Sequence, residues 1–334
     1  MPESGAGVLI PRRAAEPVTV AGEATAPGER RRFEVHAARL VTGGWLSIPV
    51  EVLVGVRPGP RVWLSGAIHG DELDGIEIIR RVLDALDPAA LAGSVIAVPI
   101  VNVFAFVDGS RYLPDRRDLN RSFPGSERGS LAARIAHLFM RQVVAQCDIG
   151  IDFHCGSDDR VNLPQVRVDL DDARGLRLAR AFRAPVIMHA RAPAGSLRAS
   201  ASALGAIVLV YEGGQSGRFT EGAIRRGVDG VVRVLREVGV LAAVRSGSEA
   251  DADVGEPLIA RSSLWVRAGQ SGILRTDTQL GARVTAGQRL GVIADAFGDR
   301  ASAVRARADG VVVGVTSHPL VNRGDAIAHI ARPD

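Results

Sequence analysis

Two hydrophobic patterns alternate along most of the chain. Short apolar runs are typical of buried strands, and segments with apolar residues every three or four positions are typical of helices. The runs that predict strands are 62–64, 94–101, 148–153, 166–168, 185–189 and 206–211. The segments that predict helices are 74–86, 131–145, 173–182, 196–204 and 220–238. This alternation predicts an α/β fold, with a mixed, mostly parallel sheet and helices on both faces.

The remaining segments before residue 130 follow other patterns. Residues 1–30 are rich in Pro, Gly, Ala and Glu without periodicity, and they predict an N-terminal arm that is either loose or partly an edge strand. Residues 31–58 alternate between apolar and polar side chains, which predicts a hairpin at the sheet edge. Residues 102–129 predict a long loop, and a loop of that length in a compact domain is usually functional or disordered.

The composition changes after residue 245. Residues 246–253 are polar and predict a linker, and the glycine-punctuated apolar runs beyond them predict a small all-β domain. The linker and this domain span 246–334, which leaves 31–245 as the main domain. The segments 281–290 and 319–327 share the pattern V-x-x-G-x-x-[LI], similar to the two halves of a lipoyl-type barrel-sandwich. Because the chain has no lysine to carry a lipoyl group, we expect a lid or an oligomer contact instead.

All 41 basic residues are arginine, and the formal net charge is +4. The absence of lysine excludes Schiff-base chemistry and a phosphate-loop lysine. The arginines are scattered and aromatic residues make up only 4% of the chain, whereas nucleic-acid binding normally requires clustered basic residues. Dispersed arginines suit a small anionic substrate better.

The chain shows no sign of membrane insertion or secretion. No stretch reaches the roughly 18 consecutive apolar residues of a membrane helix, and the N-terminus lacks the basic and apolar regions of a signal peptide. Cys147 and Cys155 do not make a disulfide framework in a chain of 334 residues. These features predict a cytoplasmic protein that binds neither membranes nor nucleic acids.

Polar residues that can bind a metal stand at the ends of three predicted strands. His69 and Glu72 follow the first strand, and His154 and Glu212 end two others. If these strands are parallel neighbours, their ends meet at one rim of the sheet. Two histidines and a glutamate with an open fourth position are typical of catalytic Zn²⁺, and Glu212 is then the candidate general base. The alternatives are a solvated loop, a hydrogen-bonded strand-end histidine and a salt-bridged Glu212.

The long loop adds cationic and amide groups. Asn120 and Arg121 are suited to binding a carboxylate. Arg111 is a candidate for stabilising an oxyanion, and Asp118 for orienting an arginine or a metal-bound histidine. The alternative is an arginine–aspartate network that only holds the loop.

Five motifs make the sequence recognisable. They are GAIHGDE at 66–72, DLNRSFPG at 118–125, DFHCG at 152–156, GSLR at 195–198 and YEGG at 211–214. In this order, the motifs resemble those of the succinylglutamate desuccinylase/aspartoacylase family, a branch of the zinc carboxypeptidase-like hydrolases. The resemblance spans about residues 60–240 and implies a zinc carboxypeptidase-like fold for the main domain, and the C-terminal β domain also resembles that of the family.

The resemblance also implies a role for each matched residue. His69, Glu72 and His154 would bind one Zn²⁺ per chain, and Glu212 would act first as base and then as acid. Arg111 would stabilise the oxyanion, although the spacing to the next motif varies in the family. The substrate-binding residues would be Asn120, Arg121, Arg198 and, beside Arg111, Tyr112. Cys155 departs from the family, which more often has threonine or serine there.

The function that follows is zinc-dependent hydrolysis of an N-acyl amino acid or a related small amide. The alternatives are a metallocarboxypeptidase acting on a small peptide and an inactive zinc-binding protein. The expected partner is a small-molecule substrate, and a homo-oligomer built through the β domain is expected. No motif identifies the acyl group.

Overall fold

The computed structural model describes residues 10–157, 159–243 and 255–333. The first nine residues of the predicted arm and the predicted linker at 246–253 lie outside these ranges. Within the described part of the chain, no helix is both long and apolar enough to cross a membrane. Cys147 and Cys155 are both buried and unpaired.

The described chain contains strands throughout and helices only between residues 74 and 237. The strands are β1 (Val18–Val20), β2 (Glu23–Thr25), β3 (Arg30–Arg39), β4 (Trp45–Val54), β5 (Arg57–Ser65), β6 (Ala92–Val98), β7 (Ile149–Gly156), β8 (Arg160–Val168), β9 (Val186–His189), β10 (Ile207–Gln215), β11 (Leu258–Arg267), β12 (Gly272–Thr276), β13 (Arg283–Val284), β14 (Arg289–Ala294), β15 (Ser302–Arg305), β16 (Gly310–Thr316), β17 (Leu320–Val321) and β18 (Ala326–Pro333). The α-helices are α1 (Asp74–Asp84), α2 (Val103–Val107), α3 (Leu131–Gln142), α4 (Ala173–Phe182), α5 (Leu197–Ala203) and α6 (Glu221–Glu237). Short 3₁₀ helices cover Pro88–Ala90, Leu119–Arg121 and Val144–Gln146.

A twelve-stranded sheet runs through the molecule in the order β13-β16-β18-β11-β9-β8-β10-β7-β5-β6-β4-β3. Its centre, β6-β5-β7-β10, is parallel throughout. The carboxyl ends of β5, β7 and β10 therefore lie at one edge, as the positions of the candidate metal ligands require. The predicted hairpin is also found, because β3 and β4 pair antiparallel at the border of the sheet.

Helices cover both faces of this sheet, as predicted. Alternate residues of β5 point to opposite faces, so Val62 and Leu64 belong to one core while Trp63 belongs to the other. The first core is completed by α1, α4 and α6, and the second by α3 and α5. In α1, the apolar residues recur at helical spacing and are buried, whereas Arg80 faces solvent.

The sheet is mixed, as predicted, whereas a predominance of parallel strands is not confirmed for the sheet as a whole. Of the twelve pairings in this sheet among the described residues, five are parallel and seven are antiparallel. The strand β7 ends at Gly156 and β8 begins at Arg160, an interval too short for a crossover helix. As a result, β8 runs antiparallel to its neighbour β10.

The predicted long loop at 102–129 is only partly irregular. It contains α2 and the 3₁₀ helix Leu119–Arg121. The side chain of Asn102 accepts a hydrogen bond from the backbone N–H of Ala105 at 3.2 Å and so caps α2. A helix of five residues is too short to show helical periodicity in the sequence.

The C-terminal segment is a two-sheet sandwich in its described residues. The strands β11, β13, β16 and β18 extend the large sheet, and β12, β14, β15 and β17 form a second sheet. Both sheets contribute to one small core, in which Val266, Leu274 and Ile330 take part. The repeated pattern places Gly287 and Gly324 at equivalent turns with φ of +85° and +97°. The predicted domain boundary at 245/246 stays a prediction.

Candidate functional site

The loop between β5 and α1 holds His69 and Glu72 tightly against α2. A Cβ atom on Gly70 would lie 1.9 Å from the carbonyl carbon of Ala105, so this position accepts only glycine. The backbone N–H of Glu72 donates to the carbonyl of His69 at 3.2 Å, which turns both side chains inward. Each residue is only 3% exposed.

Three predicted metal ligands converge on one point. His69 Nδ1 lies 2.7 Å from Glu72 Oε1, and His154 Nδ1 lies 2.8 Å from Glu72 Oε2. The potential ligand atoms of all three residues lie within 4.8 Å of one another. The ends of β5 and β7 thus bring together groups that are more than 80 residues apart in sequence.

The second nitrogen of each histidine faces a carboxylate. His69 Nε2 lies 3.2 Å from Asp118 Oδ1, and His154 Nε2 lies 2.9 Å from Asp152 Oδ2. Asp152 is itself held by the hydroxyl of Ser65, which donates at 2.7 Å. Such outer carboxylates orient metal-binding imidazoles, which leaves the two Nδ1 atoms for an ion.

The electrostatics of the site favour a cation. Burial lowers the pKa values of His69 and His154, but Glu72, Asp118 and Asp152 outweigh burial and hold both pKa values above the ordinary range. Burial also raises the pKa of Glu72, yet the two histidines hold it well below its usual value. Positive charge is therefore stabilised where the two Nδ1 atoms meet Glu72, so the donor set fits a divalent metal such as zinc.

Glu212 stands beside the candidate ligands on the neighbouring strand. Its backbone is in register with His154 across the parallel pair β10–β7. Two residues of β8 hold its carboxylate: Asn162 Nδ2 donates to Oε2 at 2.8 Å, and Arg167 Nη1 lies 3.0 Å from Oε1. These contacts fix the orientation of Glu212 next to the candidate metal centre.

Arg111 reaches the same point from the long loop. Its Nη1 atom donates to Ser157 Oγ at 2.8 Å and lies 3.7 Å from Glu72 Oε1, while Nη2 donates to Asp118 at 2.9 Å. Ser157 in turn donates to Glu72. The guanidinium is thus positioned beside the candidate ligands, although the sequence around Arg111 matches the family motif only approximately.

Three of the four predicted substrate-binding residues line one cleft with the candidate ligands. The side-chain carbonyl of Asn120 accepts from the backbone N–H of Leu197, which ties it to α5 at 2.9 Å. Arg121 and Arg198 also line the cleft. Tyr112, in contrast, is 48% exposed and is not among the lining residues.

Arg198 is unusual for a charged side chain because it is buried in the cleft. It is 8% exposed, and its Nη2 atom donates to the carbonyl of Ala190 at 2.7 Å. Its Nη1 atom is buried and has no hydrogen-bond partner among the described residues. Burial, with the nearby charge of Arg167, lowers the pKa of Arg198 to about 10. A buried donor of this kind is costly unless a ligand accepts its hydrogen bond.

Cys155 contributes through its backbone rather than its thiol. Its N–H donates to Glu72 Oε2 at 3.2 Å. Burial, followed by the charge of Glu72, raises the pKa of the thiol, so the sulfur stays protonated and is a weak nucleophile.

The cleft has a volume of about 480 Å³, and most of the residues that line it are polar or charged. Arginines outnumber carboxylates among its charged lining residues. The arginines are Arg111, Arg121, Arg160, Arg167, Arg191 and Arg198, and the carboxylates are Glu72, Asp152 and Glu212. Trp265, from the C-terminal segment, completes the lining.

Sequence reasoning did not identify Asp152, Asn162, Arg167 or Trp265 as site residues. Asp152 could have been identified from the sequence. It lies two residues before His154 in a predicted strand, and residues two apart in a strand share a face. Asn162 and Arg167 lie on β8, for which the sequence predicted only a short strand at 166–168. No sequence signal connects Trp265 with residues that lie more than 50 positions earlier.

Known proteins resemble this chain over most of its length. The sequence profile of the succinylglutamate desuccinylase/aspartoacylase catalytic domain matches residues 58–238. A curated relative, the N-alpha-acetyl-L-2,4-diaminobutyric acid deacetylase of Halomonas elongata, is 33% identical over 303 residues, which cover 86% of each chain.

Solved structures give the same assignment. A succinylglutamate desuccinylase/aspartoacylase from Rhodobacter sphaeroides superposes with a TM-score of 0.81 at 27% identity and covers 91% of this chain and 96% of its own. The product-bound ectoine utilization protein EutE (DoeB) from Ruegeria pomeroyi has a TM-score of 0.79 at 27% identity, with 92% and 97% covered. The chain therefore belongs to the succinylglutamate desuccinylase/aspartoacylase family, whose members hydrolyse N-acyl amide bonds.

Proposed function

We propose that the protein is a zinc-dependent amidohydrolase that removes the acyl group from an N-acyl amino acid. One observation carries the proposal: His69 and His154 turn their Nδ1 atoms toward Glu72 while carboxylates hold their Nε2 atoms, and Glu212 stands in register with His154. This is the donor set of a catalytic zinc site with a separate carboxylate for proton transfer.

His69, Glu72 and His154 would hold one ion per chain. A zinc ion held there would supply an acidified water molecule and would stabilise negative charge on the substrate carbonyl oxygen. Asp118 and Asp152 keep each imidazole in the tautomer and orientation that expose Nδ1. Arg111, held by Asp118 and Ser157, adds a positive charge next to the developing oxyanion.

Glu212 is assigned the proton transfers. Asn162 and Arg167 each contact one of its oxygens, and a carboxylate oxygen has a further lone pair for the proton of the attacking water. Glu212 takes this proton and then delivers it to the leaving nitrogen. The water oxygen bonds to the carbonyl carbon as the first proton leaves, and the C–N bond breaks as the nitrogen is protonated. The products are the free amine and the acid, which ionises to a carboxylate.

The amino-acid carboxylate would bind at the cationic part of the cleft. Arg198 offers a buried Nη1 donor without a partner among the described residues, and Asn120 and Arg121 line the same cleft. A substrate carboxylate that accepts a hydrogen bond from Arg198 Nη1 would satisfy this donor, and the carboxylate would remain negatively charged. The assignment of Tyr112 to substrate binding stays a prediction, as does the homo-oligomer.

The relatives suggest which substrates to test first. The Halomonas elongata relative is named for N-alpha-acetyl-L-2,4-diaminobutyric acid, so this compound heads the panel. N-acetylaspartate and N-succinylglutamate follow from the family name. Dipeptides and tripeptides complete the panel, because preferred cleavage of peptides would favour the carboxypeptidase alternative.

The decisive experiment combines metal content with turnover. Mass spectrometry of purified protein should find about one zinc per chain in the wild type and none in His154→Ala. The matched control is His189→Ala, because His189 belongs to a second, more exposed group with Asp169 and Asp171. Zinc that persists in His154→Ala, or is lost only from His189→Ala, would refute the assigned centre. A zinc-loaded wild type that cleaves no amide in the panel would support an inactive binding protein.

A further inference from the structure

Trp265 is a large apolar side chain among the mostly polar and charged residues that line the cleft. Among the described residues that line the cleft, it is the only large apolar side chain, and the other apolar members are small: Cys155, Gly156, Ala190, Pro193 and Val210. It is also the only lining residue contributed by the described segment 255–333. The C-terminal segment thus presents one aromatic surface to the site.

Neighbouring side chains hold the indole ring in place. His329 stacks on it with a centroid distance of 4.4 Å and an angle of 9° between the rings. The guanidinium carbon of Arg160 lies 5.6 Å from the ring centroid. Burial, together with the positive charge of Arg167, lowers the pKa of His329 to about 3, so its ring is a neutral stacking partner. A fixed aromatic surface needs little ordering when a ligand binds.

The tryptophan stands close to the proposed general base. A Cβ atom on Gly314 would lie 3.7 Å from Trp265 Cη2 and 3.0 Å from Asn162 Oδ1. Because position 314 has no side chain, the ring edge can approach Asn162, which donates to Glu212. Trp265 and Glu212 also line the same cleft, so a substrate whose amide lies at Glu212 shares that cleft with the indole.

We propose that Trp265 is a specificity-determining residue that packs against the acyl group of the substrate. The inference rests on the proposed deacylase function and adds a pocket for the part of the substrate that no sequence motif addresses. The amino-acid portion carries a carboxylate, which suits Arg198 and Arg121, whereas an alkanoyl acyl chain is apolar and suits the indole surface. The indole limits the length of that chain because its support by His329 leaves it no room to retreat.

The test compares acyl chains on one amino acid. The kcat/KM values for the N-acetyl, N-propionyl and N-butyryl derivatives are measured with the wild type, Trp265→Ala and Trp265→Phe. Removing the indole opens space for the longer chains, and each additional buried methylene is worth about a fourfold change. We expect the butyryl-to-acetyl ratio to rise by about ten- to twentyfold in Trp265→Ala, and by less in Trp265→Phe. With the acetyl substrate, KM should rise while kcat changes little.

The chain offers a matched control. Trp45 stacks on His36 at 4.7 Å in the same manner but lies at the edge of the sheet, away from the cleft. Trp45→Ala should keep the wild-type acyl preference. An unchanged ratio in Trp265→Ala, or a change that follows the amino-acid side chain at constant acyl group, would overturn the proposal. Wild-type activity on the acetyl substrate reports separately on the deacylase function, and a wild type inactive on the whole series would remove both proposals.

Discussion

The pH dependence of stability provides a direct test of the buried His329. Its side chain is 5% exposed, stacks on Trp265, and has an Nδ1 atom without a hydrogen-bond partner among the described residues. Burial and, secondarily, the charge of Arg167 lower the pKa of His329 from 6.5 to about 3. The folded protein thus keeps the ring neutral at a pH where the unfolded chain protonates it.

The sign and size of the effect follow from these two pKa values. Between about pH 6.5 and pH 3 the unfolded state binds a proton that the folded state does not, so stability falls as pH falls. At pH 5 the loss relative to pH 7.5 amounts to about 2 kcal/mol. This value depends mainly on the unfolded-state pKa, and it is nearly the same for any folded-state pKa of about 4 or less.

Replacing His329 with phenylalanine should remove this contribution. Phenylalanine keeps a ring for the stack and eliminates both the titration and the unpaired nitrogen. Urea unfolding of metal-free full-length protein at pH 7.5 and pH 5 measures the free energies of unfolding. We expect the wild type to lose about 2 kcal/mol more than His329→Phe between the two pH values. The control His36→Phe removes an exposed histidine from a similar stack. Equal losses in the wild type and His329→Phe would refute the reasoning.

Three further predictions concern the site itself. Glu212→Gln should keep its zinc by mass spectrometry but lose about 10²- to 10⁴-fold in kcat, and a near-normal rate would rule out the proton-transfer role. Asp152→Asn should weaken zinc binding by about 10- to 100-fold in a competition titration with a chelator, because the imidazole of His154 loses its charged partner; unchanged affinity would contradict that role. Gly70→Ala should destabilise the fold by about 1–3 kcal/mol or more in urea unfolding, since its Cβ would collide with Ala105, whereas Gly222→Ala meets no atom within 4 Å and should fold normally.

The positions of the candidate ligands and of Glu212 were predictable, because they follow from the local sequence pattern and the sheet topology together. His69, His154 and Glu212 each stand where an apolar run ends, and parallel strands bring such ends to one edge. The helices α1 and α6 were predictable for a similar reason, since their apolar residues recur at helical spacing over three turns or more.

The other half of the site was hidden by non-local structure. The partners of Glu212 lie on β8, whose direction and position in the sheet depend on a short reversal and on β10 inserting between β7 and β8. No pattern in the residues specifies that insertion. The same limit applies to α2, where five residues are too few for a periodicity to appear.

Besides contributing Trp265 to the cleft, the C-terminal segment pairs with β8. Gly314 of β16 is in register with Asn162 of β8, and Asn162 donates to Glu212. The strand β8 is thus supported by β10 on one side and contacted by the C-terminal sandwich through β16. Gly314 adjoins both Asn162 and Trp265, so the proposed aromatic surface and the residue that holds the proposed general base lie beside the same position of β16. A sandwich that served only as an oligomer contact would not need to reach this far into the sheet.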